Sequence, residues 1–245
     1  MIPTLAHWLG LPVEASAQAP ALDRITVLVH GLMAVLFVGW LAYFFYVLIR
    51  FRKARQPVAD YHGARGHWSK WTEAGVAIAE IVLLAAFSIP AWAARVHGAP
   101  SAGALVVRVV AQQFSWTMHY AGPDGEFGRV DASLVAPDNP AGLDRRSPHA
   151  ADDVVSINDM HVPAGQPVIV QLTSRDMVHS FGVPAMRVKQ DVIPGMMIPV
   201  WFTPTLEGTY DIACSQLCGL GHYRMRGLIT VVSREDFARW LASQR

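Results

Sequence analysis

Cys214-Ser-Gln-Leu-Cys218-Gly-Leu-Gly-His222-Tyr-Arg-Met225 gathers two thiols, an imidazole and a thioether into twelve residues. The two cysteines are the only ones in the chain, and His179 stands upstream in Val178-His-Ser-Phe181. Thiolate, thioether and imidazole form a soft donor set that suits copper better than oxygen-loving ions. A mononuclear blue-copper site needs one cysteine, two histidines and a weak axial methionine. Here a second cysteine follows four residues after the first. Two neighbouring sulfurs can bridge two metal ions, with the histidines and the methionine completing separate coordination spheres, so the donor count points to a dinuclear copper centre. Two plainer readings stand beside it. Paired cysteines outside the cytoplasm commonly form a disulfide, although a Cys-x3-Cys pair closes a ring too small to stabilise much. Two cysteines and two histidines also match structural zinc, which has no use for Met225.

The residues around this stretch read as β-structure. Thr209–Cys214 and Leu228–Val232 flank it, and Leu105–Ala111, Phe114–Tyr120, Val154–Ile157, Pro167–Thr173 and Ile198–Thr203 are further runs of β-branched or alternating residues. Gly and Pro separate most of them, the pattern of an all-β sandwich or barrel. The metal motif then lies on the loop between the last two strands, and a strand-borne His179 meets it at one end of the sandwich. Both cysteines must ionise to bind metal, so loading should weaken in acid. The Pro/Asp/Gly-rich excursion from Gly122 to Asp153 reads as too polar for core. Ser233, with Asp236 three residues on, reads as the cap of a short closing helix to Ser243.

Hydrophobic residues make up 52% of the chain and charged ones 16%, more apolar surface than one soluble core of this size hides. Ile25–Ile49, with His30 its only ionisable group, and Ala74–Ala94, with only Glu80, account for the excess. At about 1.5 Å per residue, each crosses a hydrocarbon layer of about 30 Å. Arg50, Arg52, Lys53, Arg55, Arg65 and Lys70 face a single acid, Asp60, in the loop between them. Short basic loops stay cytoplasmic, so the helices form a hairpin with both termini outside. The expected organisation is an extracytoplasmic tail at 1–24, a transmembrane hairpin at 25–97 and an exported domain at 98–245. That domain has twelve basic and fourteen acidic residues, a poor match for nucleic acid and a plausible dock for a basic protein. Asp191 and the acids from Asp124 to Asp153 are the expected attractants.

A two-helix hairpin followed by a β-domain ending in His…Cys-x3-Cys-x3-His-x2-Met resembles subunit II of haem–copper cytochrome c oxidases. The resemblance runs from about Ile25 onward and includes Val178-His-Ser-Phe181, Lys189-Gln-Asp-Val-Ile-Pro-Gly195 and the aromatic run at Phe114 and Trp116. It implies a cupredoxin-like fold with a dinuclear copper (CuA) centre. Cys214 and Cys218 would bridge, and His179, His222, Met225 and the Gln216 carbonyl would complete the ligands. It also implies residence in a bacterial inner membrane with the copper domain periplasmic. The implied partners are subunits I and III, membrane lipid and a cytochrome c, or a cytochrome c domain, as donor. Electrons taken singly would pass to haem in subunit I, where oxygen reduction and proton pumping occur.

Two departures stand out. Gln216 replaces the glutamate of the usual Cys-x-Glu-x-Cys, so an interface magnesium ion loses its carboxylate ligand. Phe114 stands where the family's electron-accepting tryptophan usually sits, and Trp116 is kept, so the pair is the expected docking patch and first acceptor. Glu73 resembles the mouth of a proton pathway, and Glu80, seven residues on, shares its helix face. His119, His149 and His161 read as structural. Rival functions are a CuA domain of another reductase, such as one for nitrous oxide, or a transient copper carrier. A quinol-oxidase subunit II has the same architecture without the metal ligands.

Overall fold

Alternation of buried and half-buried residues builds the β-domain. Leu105–Gln112 (β1) buries Val107, Val109 and Ala111, and Ser115–Tyr120 (β2) turns back antiparallel to it. The computed structural model describes residues 8–59, 61–62, 66–98, 100 and 103–244. Among them, the remaining strands are Val154–Ile157 (β3), Asp159–Pro163 (β4), Val168–Ser174 (β5), His179–Val183 (β6), Val188–Val192 (β7), Ile198–Phe202 (β8), Gly208–Cys214 (β9) and Arg226–Val232 (β10). They form two five-stranded sheets, in the orders β3-β2-β1-β5-β8 and β4-β10-β9-β6-β7. Val170, Leu172, Met118 and Phe202 of the first sheet join Met160, Ile212, Ile229 and Phe181 of the second in one core. This is an all-β sandwich of the cupredoxin-like kind.

β4 and β7 carry no strong strand signal, because Asp159-Met-His-Val-Pro163 and Val188-Lys-Gln-Asp-Val192 are polar or proline-ended. They are the two edges of the second sheet, where charge and proline are tolerated and discourage further pairing. The Gly122–Asp153 excursion departs from expectation. It holds a small core of its own, with Ala141, Leu143 and Ala150 buried against Val155, and Val130 bridges Leu143. The closing helix (α4, Arg234–Ser243) starts as expected: the Ser233 hydroxyl accepts from the Asp236 N–H at 3.0 Å.

The chain divides into two units, one spanning Ala21–Gly98 and the other joining Gly10–Pro20 to the β-domain. In the helical unit, α1 (Ala19–Arg50) starts ahead of its apolar run because Pro20 suits a first turn, whose N–H groups are unpaired anyway. α2 (Trp68–Leu83) passes through one π-helical turn, Leu84–Ser88, into α3 (Ile89–His97). Pro90 lacks an N–H and crowds the preceding carbonyls, which accounts for the widened turn. α1 and the 68–97 run have mean hydropathies of 2.3 and 2.0 and no burial over their most apolar windows, as membrane-anchoring helices do. Glu73 and Glu80 share a face and line one groove with Leu36 and Trp40 of α1. Asp60 and Arg65 of the basic loop, and residues 1–7 of the tail, lie outside the described residues.

The tail is more than a leader into α1. Ala15 donates its N–H to Ala185 O at 2.9 Å and accepts from Thr205 N–H at 2.9 Å, and Ser16 Oγ donates to Met186 O at 2.8 Å. Ala15 and Ser16 are small residues buried against the β-domain.

Phe181 is fully buried and meets Trp116 edge-to-face at 5.6 Å. Phe181→Ala should therefore destabilise the β-domain by about 3–5 kcal/mol. Denaturant titration followed by tryptophan fluorescence checks this, and an unchanged midpoint would show that the core does not depend on this contact.

Candidate metal centre

Strand register carries His179 across the intervening sequence to the cysteine loop. β6 and β9 pair antiparallel with Phe181 opposite Cys214, so His179, the first residue of β6, faces the loop as it leaves β9. The loop is closed at its base by Cys214 N–H donating to Met225 O at 3.1 Å, and turned by His222 N–H donating to Gly219 O at 3.1 Å. Ser215 N–H donates to Ser180 O at 2.9 Å, tying the loop to β6. Gly219 has φ +112°, and a Cβ there would meet Gln113 Nε2 at 2.6 Å. A Cβ on Gly221 would come within 2.5 Å of the Phe114 ring. Close approach of the β1–β2 turn therefore demands both glycines.

The six expected donors converge. Cys214 and Cys218 are free thiols with their sulfurs 3.7 Å apart, against about 2.05 Å in a disulfide. That separation is under twice a metal–thiolate bond of about 2.3 Å, so one ion can touch both. His179 Nδ1 lies 3.9 Å from Cys214 Sγ, and His222 Nδ1 lies 3.6 Å from Cys218 Sγ. Met225 Sδ is 3.7 Å from Cys218 Sγ, and Gln216 O is 3.1 Å from Cys214 Sγ. The ligand atoms of His179, Cys214 and Cys218 all lie within 4.8 Å of one another. His179 and Cys218 are fully buried and Met225 nearly so. Burial, reinforced by Cys214, pushes the Cys218 thiol up to about 11, so a metal ion binding there must displace a proton.

Two further residues serve this geometry, and sequence reading passed over one of them. Asp176 Oδ1 lies 2.8 Å from His179 Nε2, which turns Nδ1 toward the sulfurs, the usual arrangement behind a metal-binding imidazole. Burial would raise the Asp176 carboxyl, but hydrogen bonds from His179 and from the Gln113 and Met177 N–H groups outweigh it and hold the group below its usual range. The available signal was an acid three residues before His179. Gln113, quoted only as part of the aromatic run, donates its N–H to Asp176 at 2.7 Å and its side-chain amide to Cys218 O at 2.8 Å. His119, His149 and His161 each have a carboxylate of their own, Asp153, Asp124 and Asp159.

The profile of the family described as cytochrome c oxidase subunit II, periplasmic domain, matches residues 105–232. A protein named alternative cytochrome c oxidase subunit 2 from Bradyrhizobium diazoefficiens is 36% identical over 82% of this chain and 72% of its own length. The chain belongs to the cytochrome c oxidase subunit II family. Cytochrome c oxidase subunit 2 of Cereibacter sphaeroides is 33% identical over 71% of this chain, which spans 59% of that relative. A crystal structure of the periplasmic domain of subunit II from Bradyrhizobium japonicum covers 59% of this chain and 95% of its own, with 32% identity and a TM-score of 0.44. As a subunit II, the chain is a membrane-anchored component of an oxidase complex, and its His/Cys/Cys cluster is compatible with copper.

One expectation about this subunit II needs correction. Trp116 is wholly buried, edge-on to Phe181 and, at 6.2 Å between centroids, to His179, so it offers nothing to a docking protein. Phe114 lies in the turn ahead of β2 and is half-buried, whereas Trp116 is inside β2 and faces the core. Phe114 alone of the pair reaches the surface, its ring lying against Gly221 with the Arg224 guanidinium 5.6 Å away.

Asp176→Asn keeps the shape but loses the charge that orients His179. Copper affinity, read by competition with a chelator, should fall about 10–100-fold with folding retained. Unchanged affinity would show that Asp176 does not position the imidazole.

Proposed function

We propose that this subunit II takes electrons one at a time from cytochrome c at a dinuclear copper centre and hands them to haem in subunit I. The observation that carries this reading is the convergence of four further donors, two imidazoles, a thioether and a carbonyl, on one pair of free sulfurs. A single tetrahedral zinc ion uses four ligands and leaves the buried Met225 thioether and the Gln216 carbonyl without a purpose. Bound at these residues, copper supplies a one-electron redox couple. The protein holds the ligands still: β6 and β9 fix His179 and Cys214, the Cys214–Met225 backbone bond closes the loop, and Asp176 orients the His179 imidazole. Trp116 and Phe181 wall off water behind the histidine. Little has to move when the charge changes, which suits electron transfer.

Several finer assignments rest on family resemblance together with chain features. The basic 50–70 loop supports a cytoplasmic hairpin turn, which places the copper domain on the periplasmic side. Subunit III is the further partner, and oxygen reduction with proton pumping belongs to subunit I. Glu73, near the start of α2 with Ser69 Oγ at 3.4 Å, is the candidate mouth of a proton pathway. Gln216 offers no carboxylate to an interface magnesium ion.

In the purified oxidase complex, Cys218→Ser should lower oxygen uptake driven by cytochrome c by at least about 100-fold, with the haem spectrum intact. Turnover near that of the unmodified complex would remove the sulfur pair from the electron path.

A further inference from the structure

The methionines of the β-domain are graded by burial. Met118, Met160, Met186 and Met225 are buried, as adaptable core fillers usually are. Met177 is half-buried in the turn ahead of β6. Met196 and Met197 stand side by side in the connection from β7 to β8, each 52% exposed. Pro194 and Gly195, the latter with φ +76°, make that connection turn, and Met196 N–H donates to Ile193 O at 3.2 Å to close it. Turn chemistry accounts for the proline and the glycine. It does not account for two thioethers held in water where polar side chains would be better solvated.

Local contacts join this tip to the sulfur pair. Pro194 bridges Ser174, and Ser174 Oγ donates to Met177 O at 2.5 Å. The Met177 thioether accepts from Gln113 Nε2 at 3.1 Å, and the same amide donates to Cys218 O at 2.8 Å. From surface to interior the order is therefore Met196 and Met197, then Met177, then the buried Cys218 and Met225. Every sulfur in that order is soft, and neutral thioethers select Cu(I) over hydrated divalent ions. The cysteines themselves are shut off from solvent, Cys218 fully and Cys214 all but 8%, so an ion must first be caught elsewhere.

We infer that Met196 and Met197 form a capture site for Cu(I), which holds the ion at the surface before it passes inward to Cys214 and Cys218. This rests on the copper function proposed above and assigns the entry point of its metal. Transfer is ligand exchange. Bonds from Cu(I) to thioether break, bonds to thiolate form, and each thiol that binds releases its proton to water. The ion stays Cu(I) throughout, so no oxidant or reductant is consumed. Anionic thiolates hold a cation more tightly than neutral thioethers do, and the exchange runs inward.

The test uses the full chain in detergent, metal-free, reduced and anaerobic. With Cys214→Ser and Cys218→Ser removing the inner pair, one Cu(I) per chain should stay bound in competition with a chromophoric chelator. X-ray absorption should show sulfur neighbours around it. Adding Met196→Leu and Met197→Leu, close in size and apolarity, should weaken this binding by at least about tenfold. With both cysteines present, the same two leucines should slow filling from limiting Cu(I) several-fold, to an unchanged final copper content. No Cu(I) retained without the cysteines, retention indifferent to the leucines, or filling at the unmodified rate would each overturn the capture site. The inner centre is read separately. A chain whose cysteines add no bound copper overturns the function proposed above, whereas the cysteine-free variant reports capture on its own.

Discussion

Cys214 and Cys218 hold their sulfurs 3.7 Å apart where water is excluded, and much of the domain follows from that pair. Two thiolates so close would repel with nothing to screen them, which is why burial and the neighbouring sulfur keep the Cys218 proton on. A cation bound by Cys214 and Cys218 would relieve that repulsion. Each supporting feature limits how such an ion would bind. The loop cannot open without losing the Cys214–Met225 bond, and the imidazole of His179 cannot turn away without abandoning Asp176. The glycines then let Gln113 and Phe114 close over the loop, so that the carbonyl of Cys218 is paired and the Phe114 ring approaches the surface.

The proposed ligand set was legible in the sequence because its donors are rare residue types: the chain has two cysteines, and both fall in the twelve-residue stretch that also holds His222 and Met225. His179 was legible as a partner, but its placement depended on β6–β9 register, which no local pattern encodes. Asp176 was not legible, since an acid in a turn is ordinary until the histidine it faces is known. Trp116 was misjudged for a related reason. The alternating run suggested that it and Phe114 share one face, but the strand starts only at Ser115, so Phe114 stays in the turn while Trp116 enters the core. The acids between Asp124 and Asp153 were countable, yet the pairings of Asp131 with Arg129 and of Asp144 with Arg146 came from loop geometry alone.

The sandwich itself was read from its core strands, whose continuous β-branched runs reflect burial between sheets. β4 and β7 escaped because edge strands are selected for polarity, and the small core around Leu143 escaped because a few alanines and one leucine suffice for it. The anchoring helices were the plainest feature, since spans so apolar and so long have few other uses. The start of α1 shifted because Pro20 and the strap at Ala15 and Ser16, rather than hydropathy, set that boundary.

The most direct test of the central claim is copper stoichiometry and low-temperature electron paramagnetic resonance on the full chain, purified in detergent and loaded with copper. The account predicts two copper ions per chain, with one unpaired electron shared equally by both nuclei and therefore seven hyperfine lines. One copper with four lines, or zinc alone, would contradict it, because the second sulfur would then not be a bridge.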